Sequence, residues 1–453
     1  MENSAFDVVV IGGGNAAIGV TGPARRAGLS VAMIESDKLG GTCPNRGCTP
    51  KKILVAAANC LDEIGRAHVH RVDVKGASLD WAGLIAREKH LIEGVPDSVA
   101  HAMARRDVEV VAGHARFVSP DSVRVGESII VGKHIVIATG SKPRPLPFPG
   151  AEFVITSDDI LSDPQLPKSV AFVGGGVISL ELGQVYVRAG VDVTILELLP
   201  QLLPSMDEGA VAVLRGECER IGIKVKTGVE IKRIVREDGH LSVVFREDGQ
   251  DRSIAVERVA NGAGRVANTQ SLDLDVGNIE HDNGRIAVDR YLRSVSNPRV
   301  FVCGDAVAGS PQLSPIATYE GNIVGRNIVE GPLHSPDYTK LATAVYTVPA
   351  LASIGLTEAA ARRQFAAVDV HVNDMREWFS AKSYAETVAW SKIIVDRATD
   401  QIVGAHFVGH RGEELVNIFC LAISFGITAT QVRNCMFAYP TFAADIKHML
   451  ARV

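Results

Sequence analysis

Two stretches of this chain share one plan. "FDVVVIGGGNAAIGVTGPARRAGLSVAMIES" runs from Phe6 to Ser36, and "SVAFVGGGVISLELGQVYVRAGVDVTILEL" from Ser169 to Leu198. Each reads as a buried strand, a glycine turn, a helix, a second β-branched strand and a terminal glutamate, the βαβ unit of a dinucleotide fold. A lone glycine motif is weak evidence. Here strand, helix and acidic residue agree at the right distances, twice, so two dinucleotides are expected. Gly12 permits the tight turn, Gly14 lets the backbone approach a pyrophosphate, and Ala17 takes the third glycine position. The helix start then offers N–H groups and its positive end to the phosphates. Glu35 is placed to accept from ribose hydroxyls. The second unit supplies Gly174, Gly176, Ser179 and Glu197 in the same places.

Two further segments run as strands into tight turns: "HIVIATGSKPRP", His134 to Pro145, and "RVFVCGDAVAG", Arg299 to Gly309. Asp305, after Gly304, is placed to accept from a polyol or ribose hydroxyl. From about Pro332 the texture changes. "KIIVDRATDQIVGAHFVG" (Lys392 to Gly409) reads as a hairpin, and "EELVNIFCLAISFGIT" (Glu413 to Thr428) as an amphipathic helix whose apolar face is core or subunit interface.

The chain has 453 residues, 46% of them apolar and 22% charged, enough for several domains with ample core. A net charge of −5 gives no basic surface for nucleic acid. The N-terminal apolar run lacks a basic leader and ends in a glycine turn, and no apolar stretch is long enough to span a bilayer. Seven cysteines, an odd number and sparse for this length, point to a reducing cytoplasm rather than a disulfide framework.

Two of the cysteines stand close together in "GGTCPNRGCTPKK", Gly40 to Lys52. Residues five apart on a helix lie about 7.5 Å apart along its axis, whereas a disulfide needs Cα atoms within about 4.4–6.8 Å. If Cys43 and Cys48 bond, the segment between them is not regular helix, and Pro44 and Gly47 suit that. Thr49–Pro50 reads as an N-cap followed by proline at the first helical position. Cys48 then sits just before a positive helix end, a position that lowers a thiol's pKa; Arg46, Lys51 and Lys52 add positive charge. Zinc would need four ligands, and no CxxC or HxxxH partner is evident. The pair is therefore expected to be reactive.

With both nucleotide motifs in place, this cysteine motif is similar to that of the class I pyridine nucleotide–disulfide oxidoreductases, which include dihydrolipoamide dehydrogenase, glutathione reductase and mercuric reductase. The resemblance spans the chain in order, through "VIATGS", "GAGRVAN", "FVCGDA" and "YPT". It implies an α/β fold: two Rossmann-like dinucleotide-binding domains, for FAD at 1–145 and 269–331 and for NAD(P) at 146–268, plus a C-terminal α+β dimerisation domain at 332–453. FAD would lie along Gly12, Gly14, Glu35, Gly41, Thr42, Lys52, Thr139, Gly140, Asp305 and Ala317. NAD(P)H would use Gly174, Gly176, Glu181, Glu197 and Gly264. Cys48 would be the charge-transfer thiol and Cys43 the interchange thiol facing substrate. Lys52, with Lys51 as the alternative, would pair with Glu181. A homodimer is implied. The coenzyme can be argued physically: an NADP enzyme places Arg near the 2′-phosphate, but "LLPQLLPSMDEG" after Glu197 has no basic residue, so NADH is expected.

The pattern departs from the family at its far end. Disulfide-reducing members carry a His–Pro from the other subunit, oriented by a Glu five residues on. In "FAYPTFAADIKHML" Tyr439 stands at the His position, Ala444 at the Glu position, and Asp445 one residue late; His448 reads as a surface residue. A phenol ionises near about 10, so tyrosine can donate a proton but is a poor base at neutral pH. Mercuric reductases carry Tyr here and a C-terminal cysteine pair; this sequence ends "HMLARV", and Cys435 reads as a buried structural residue. The expected activity is electron transfer from NAD(P)H through FAD and the Cys43–Cys48 disulfide to a disulfide substrate. The alternative acceptor is a metal ion such as Hg2+, a quinone or oxygen.

Overall fold

A computed structural model describes residues 3–451. The backbone gathers into two compact units, one formed by Met1–Lys51, Ala86–Pro145 and Arg265–Asp337, the other by Lys52–Ile85, Leu146–Gly264 and Tyr338–Val453.

In the first unit, Asn3–Ile11 pairs in parallel with Val31–Glu35 on one side and Ser128–Ile137 on the other; Glu109–Ala112 extends the sheet beyond Val31–Glu35. Val300–Val302 joins Ser128–Ile137, also in parallel. Val8, Val9, Val10, Ile135 and Val136 are fully buried. Such a sheet is covered on both faces, which is why its strands read as continuous apolar runs rather than alternating ones. Their carboxyl ends bring Gly12, Glu35, Ala138–Thr139 and Cys303–Asp305 to one edge, where open α/β sheets bind ligands.

The helices Asn15–Arg26 and Ser314–Glu330 pack in this unit with almost no space between their backbones. A Cβ on Gly321 would lie 2.1 Å from the Ala16 carbonyl oxygen, and one on Gly19 2.6 Å from that of Thr318. Small residues on both helices permit the approach. It sets the first residues of the two helices, Asn15 and Ser314, side by side.

The second unit repeats the parallel plan with Lys224–Thr227, Asp192–Glu197, Ser169–Val173, Arg258–Asn261 and Val154–Ile155 in that order, and adds an antiparallel sheet of Glu230–Glu237, His240–Glu247 and Gln250–Val256. Its remaining sheet is antiparallel, and at its centre the expected hairpin is present as Ala389–Asp396 against Ile402–Gly409. The expected amphipathic helix runs Gly412–Phe425 and ends at Gly426 in the left-handed region. Leu415, Val416, Phe419 and Ala422 face the core, while Leu421 and Phe425 are exposed. Among the described residues no helix is long and apolar enough to cross a membrane.

A buried charge cluster ties this unit together. Lys392 Nζ lies 2.9 Å from both Asp207 Oδ1 and Glu358 Oε2. Asp207 also caps the helix Glu208–Arg220 by accepting from Gly209 N and Ala210 N. Removing one member of a buried pair leaves the other charge uncompensated, at a cost of about 3–5 kcal/mol. Lys392→Met is therefore expected to lower the stability of this unit by about 3 kcal/mol, read as a lower urea midpoint, whereas an unchanged midpoint would show the cluster to be dispensable.

Candidate active site

The two glycine turns are built by the same hydrogen bonds. Gly12 N donates to Ile34 O at 2.7 Å and Gly174 N to Leu196 O at 2.8 Å. Gly13 N donates to Glu35 Oε2 at 2.7 Å and Gly175 N to Glu197 Oε2 at 2.5 Å. The second oxygen of each carboxylate accepts from the backbone two residues on, at Asp37 N and Leu199 N. Both glutamates are thus clamped onto their turns, with remaining lone pairs for a ligand. Gly12 and Gly174 have φ of +117° and +93°, and a Cβ on Gly12 would sit 2.3 Å from Ala138 O. The helices that follow begin at Gly14 and Gly176 with no side chain capping them, so their first N–H groups are available to an anion.

Around the first turn the predicted flavin residues collect in one unit. Gly40 N donates to Gly13 O, and a Cβ on Gly41 would lie 2.7 Å from Gly14 Cα, so these two strand-end loops meet closely at their glycines. Thr42 follows as the first residue of a short helical turn, Thr42–Arg46. Thr139 Oγ1 is buried with no hydrogen-bond partner among the described residues. Gly140 has φ +68°. Asp305 accepts from Ser141 Oγ at 2.8 Å, and Arg265 Nε donates to the same hydroxyl at 2.9 Å. Burial raises the Asp305 pKa, opposed by Ser141 and Arg265. Ala317 is buried against Gly304. Two backbone cradles that a Cβ would fill, uncapped helix starts and an orphaned buried hydroxyl all fit dinucleotides.

The cysteine segment differs from expectation at the helix start. The long helix begins at Cys48 itself and runs to Arg66, so Thr49 is not its cap. Pro50 is tolerated inside the first turn because the first four N–H groups of a helix have no intrahelical partner. The break falls at Gly47, with φ −137° and ψ −112°. The two cysteines titrate as a coupled pair. Both are free thiols, and each shifts the other's pKa. Cys43 is pulled down to about 6, first by the Cys48 thiol, against burial, and then by Ser314 and Asn15. Cys48 is pushed up by its hydrogen bond to Cys43, by burial and by the Cys43 charge, with Lys51 opposing. Two thiols coupled in this way lose their first proton as a pair. Asn15 and Ser314 were not singled out by sequence reasoning. Arg46 is ion-paired with Asp37.

In the other unit, Lys52 and Glu181 meet at one residue. Lys52 Nζ sits 3.7 Å from the Tyr346 ring centroid, and Tyr346 N donates to Glu181 Oε1 at 2.7 Å. Glu181 is 4% exposed, on the helix Val177–Arg188 that follows the second turn. Ser179 Oγ donates to Gly174 O, and Gly264 has φ +91°. Tyr346 carried no motif that could have marked it.

The C-terminal candidates separate. Tyr439 is 76% exposed. Asp445 is engaged elsewhere: its Oδ2 lies 2.9 Å from His410 Nε2 and accepts from Ser380 Oγ. His410 Nδ1 is 3.3 Å from Glu386 Oε2, and its side chain is fully buried. Its edges meet Trp378 and Phe442. His448 is exposed against Trp378. Cys435, expected to be buried, is exposed at the end of a short helix, where its thiol reaches Gln431 O. An isolated histidine gives no periodic signal, so His410 escaped notice.

Known proteins resemble this chain along nearly its whole length. The family model described as pyridine nucleotide-disulphide oxidoreductase matches residues 6–321, and that family's dimerisation domain matches residues 341–450. A glutathione reductase of Burkholderia cepacia is 30% identical over 446 residues, covering 98% of each chain. A dihydrolipoyl dehydrogenase of Chlorobaculum tepidum is 32% identical over 453 residues, covering 98% of this chain and 96% of that one. A third relative, the dihydrolipoyl dehydrogenase of Bacillus subtilis, is 29% identical over 460 residues, with 97% and 96% covered. The chain belongs to the pyridine nucleotide–disulphide oxidoreductase family. It is accordingly an FAD-dependent oxidoreductase that works with a pyridine nucleotide and disulfide chemistry.

The His410 cluster makes a pH prediction. Burial pushes its pKa down, but the bonds to Asp445 and Glu386 outweigh burial and raise it. A raised folded-state pKa means that the stabilisation is complete below the unfolded value of about 6.5 and is lost as pH rises through the folded value. His410→Gln is expected to cost about 3 kcal/mol near pH 6 and less near pH 9. An equal loss at both pH values would mean that the histidine is neutral in the folded chain.

Proposed function

We propose that the enzyme passes electrons from NADH through FAD to the Cys43–Cys48 pair and on to a small disulfide. The observation that carries this is the pair of free thiols, Cys43 and Cys48, on either side of the break at Gly47 where the long helix begins. FAD would be held by Gly12, Gly14, Glu35, Gly41, Thr42, Thr139, Gly140, Asp305 and Ala317, and the nicotinamide nucleotide by Gly174, Gly176, Glu197 and Gly264. When bound, the two cofactors supply the hydride chemistry that reduces the Cys43–Cys48 disulfide. Lys52 and Glu181, brought to Tyr346, are the charged pair assigned to the flavin's reactive end, with Lys51 the alternative.

The dithiol then acts by exchange. The Cys43 thiolate attacks one sulfur of the substrate disulfide, forms a mixed disulfide and releases the other sulfur as a thiolate. Cys48, deprotonated in turn, attacks Cys43, restores the Cys43–Cys48 bond and releases the second substrate thiolate. Each product takes up a proton, and Tyr439 is the proposed donor. The coenzyme reading rests on Glu197. Its carboxylate is clamped to Gly175 N and Leu199 N, so it cannot swing away from a 2′-phosphate, and exposed Leu198 and Leu199 offer that phosphate no positive charge. A homodimer working in the cytoplasm completes the reading.

The exposure of Tyr439 and the engagement of Asp445 by His410 favour one further reading, in which the acceptor is a metal ion such as Hg2+, a quinone or oxygen. The two separate by mutation. Cys43→Ser is expected to lower disulfide reduction by about 10^3-fold or more in steady-state assays; turnover that survives it would establish the second reading. Tyr439→Phe should lower turnover with a disulfide, and unchanged turnover removes Tyr439 from the mechanism. kcat/KM should favour NADH over NADPH, and Glu197→Ala should narrow the gap; a wild-type preference for NADPH contradicts the argument.

A further inference from the structure

Beyond the strand Thr343–Val345 the backbone leaves its sheet, and its N–H and C=O groups need partners other than a ladder. The helix Val177–Arg188 supplies them from one face, at positions 181, 184 and 188. Tyr346 N donates to Glu181 Oε1 at 2.7 Å, and Val348 N to Gln184 Oε1 at 2.8 Å. Arg188 Nη2 donates to Val348 O at 2.6 Å, and its Nη1 to Gln184 Oε1 at 3.1 Å. Gln184 is fully buried, and the Arg188 side chain is 8% exposed. Arg188 reaches one element more. Its Nη2 lies 3.0 Å from Asp62 Oδ1, on the helix Cys48–Arg66 that also carries Lys52. One guanidinium therefore ties the segment bearing the Tyr346 ring to the helix whose Lys52 Nζ sits 3.7 Å from that ring's centroid.

The geometry points to Gln184 and Arg188 as the positioning residues for Lys52 and Glu181. This rests on the reading that those two charges serve the flavin's reactive end. Gln184 sets the register of Tyr346–Val348 against the helix that carries Glu181. Arg188 fixes the same segment against the helix that carries Lys52. The face of an aromatic ring attracts an ammonium, and a lysine side chain has much rotamer freedom to lose. The place of the ring therefore decides where the ammonium is held. The planar fork of arginine makes its bonds to Val348, Gln184 and Asp62 at once; lysine in its place would keep the charge without the fork. Gln184 and Arg188 follow Glu181 on the same helix face, outside the glycine motif, so no sequence pattern singled them out.

The test reads the midpoint potential of the bound FAD, measured anaerobically against a reference dye without NADH or a disulfide. The cysteines are first reduced with dithiothreitol and alkylated, so that the flavin alone takes up electrons. A positive charge held at the flavin's reactive end favours the more negative, reduced form, so Lys52→Met should lower the potential. Arg188→Lys, which removes no charge, and Gln184→Leu should each lower it by about 30 mV, the equivalent of a tenfold weaker hold on the two-electron reduced flavin. In the Lys52→Met background neither should lower it further, as expected of residues that act through Lys52. Tyr346→Leu keeps the backbone N–H and removes the ring. It should lower the potential equally, and Tyr346→Phe should restore it, so the test holds even if Gln184→Leu folds poorly. Falls of equal size with and without Lys52 would overturn the proposal. If Lys52→Met lowers the potential while neither Arg188→Lys nor Tyr346→Leu does, this inference fails and the reading of Lys52 stands. If Lys52→Met leaves the potential where it was, the reading of Lys52 fails and this inference with it.

Discussion

The bond from the middle glycine of each turn to the glutamate that ends the next strand organises both nucleotide motifs. Gly13 to Glu35 and Gly175 to Glu197 are the same bond at the same spacing. Each ties the end of a parallel strand to the start of a helix and holds a carboxylate at the rim of the turn. Without it, a carboxylate at a strand end would be free to rotate, and the turn would lose a partner for a backbone N–H that geometry leaves exposed. The positive φ of Gly12 and Gly174 and the uncapped starts of the following helices belong to the same arrangement. In the first unit it also fixes Asn15 one residue beyond Gly14, where the packing against Ser314–Glu330 brings it to Ser314.

Much of this was legible in the sequence because it is local. Parallel strands announce themselves as continuous apolar runs, and the spacing from glycine turn to glutamate is fixed by one helix and one strand. The hairpin at Ala389–Gly409 carries its own alternation and turn residues. What escaped was made by distant segments. Asn15 and Ser314 are 299 positions apart, and His410 meets Asp445 across 35. No periodicity links such residues.

The C-terminal departure takes a definite physical form. The position after Ala444 keeps a carboxylate, Asp445, but it serves a buried histidine instead of an exposed tyrosine. Among the described residues Tyr439 therefore stands without Asp445 as an orienting partner.

The central claim is that Cys43 and Cys48 form a redox pair filled by electrons from the nicotinamide. Its most direct measurement is an anaerobic titration of the oxidised enzyme with NADH, with thiols alkylated before and after by distinguishable reagents and located by mass spectrometry. The account predicts new thiols at Cys43 and Cys48 together, appearing in step with NADH consumed. NADH consumption that reduces the flavin while both cysteines keep their initial state would contradict it.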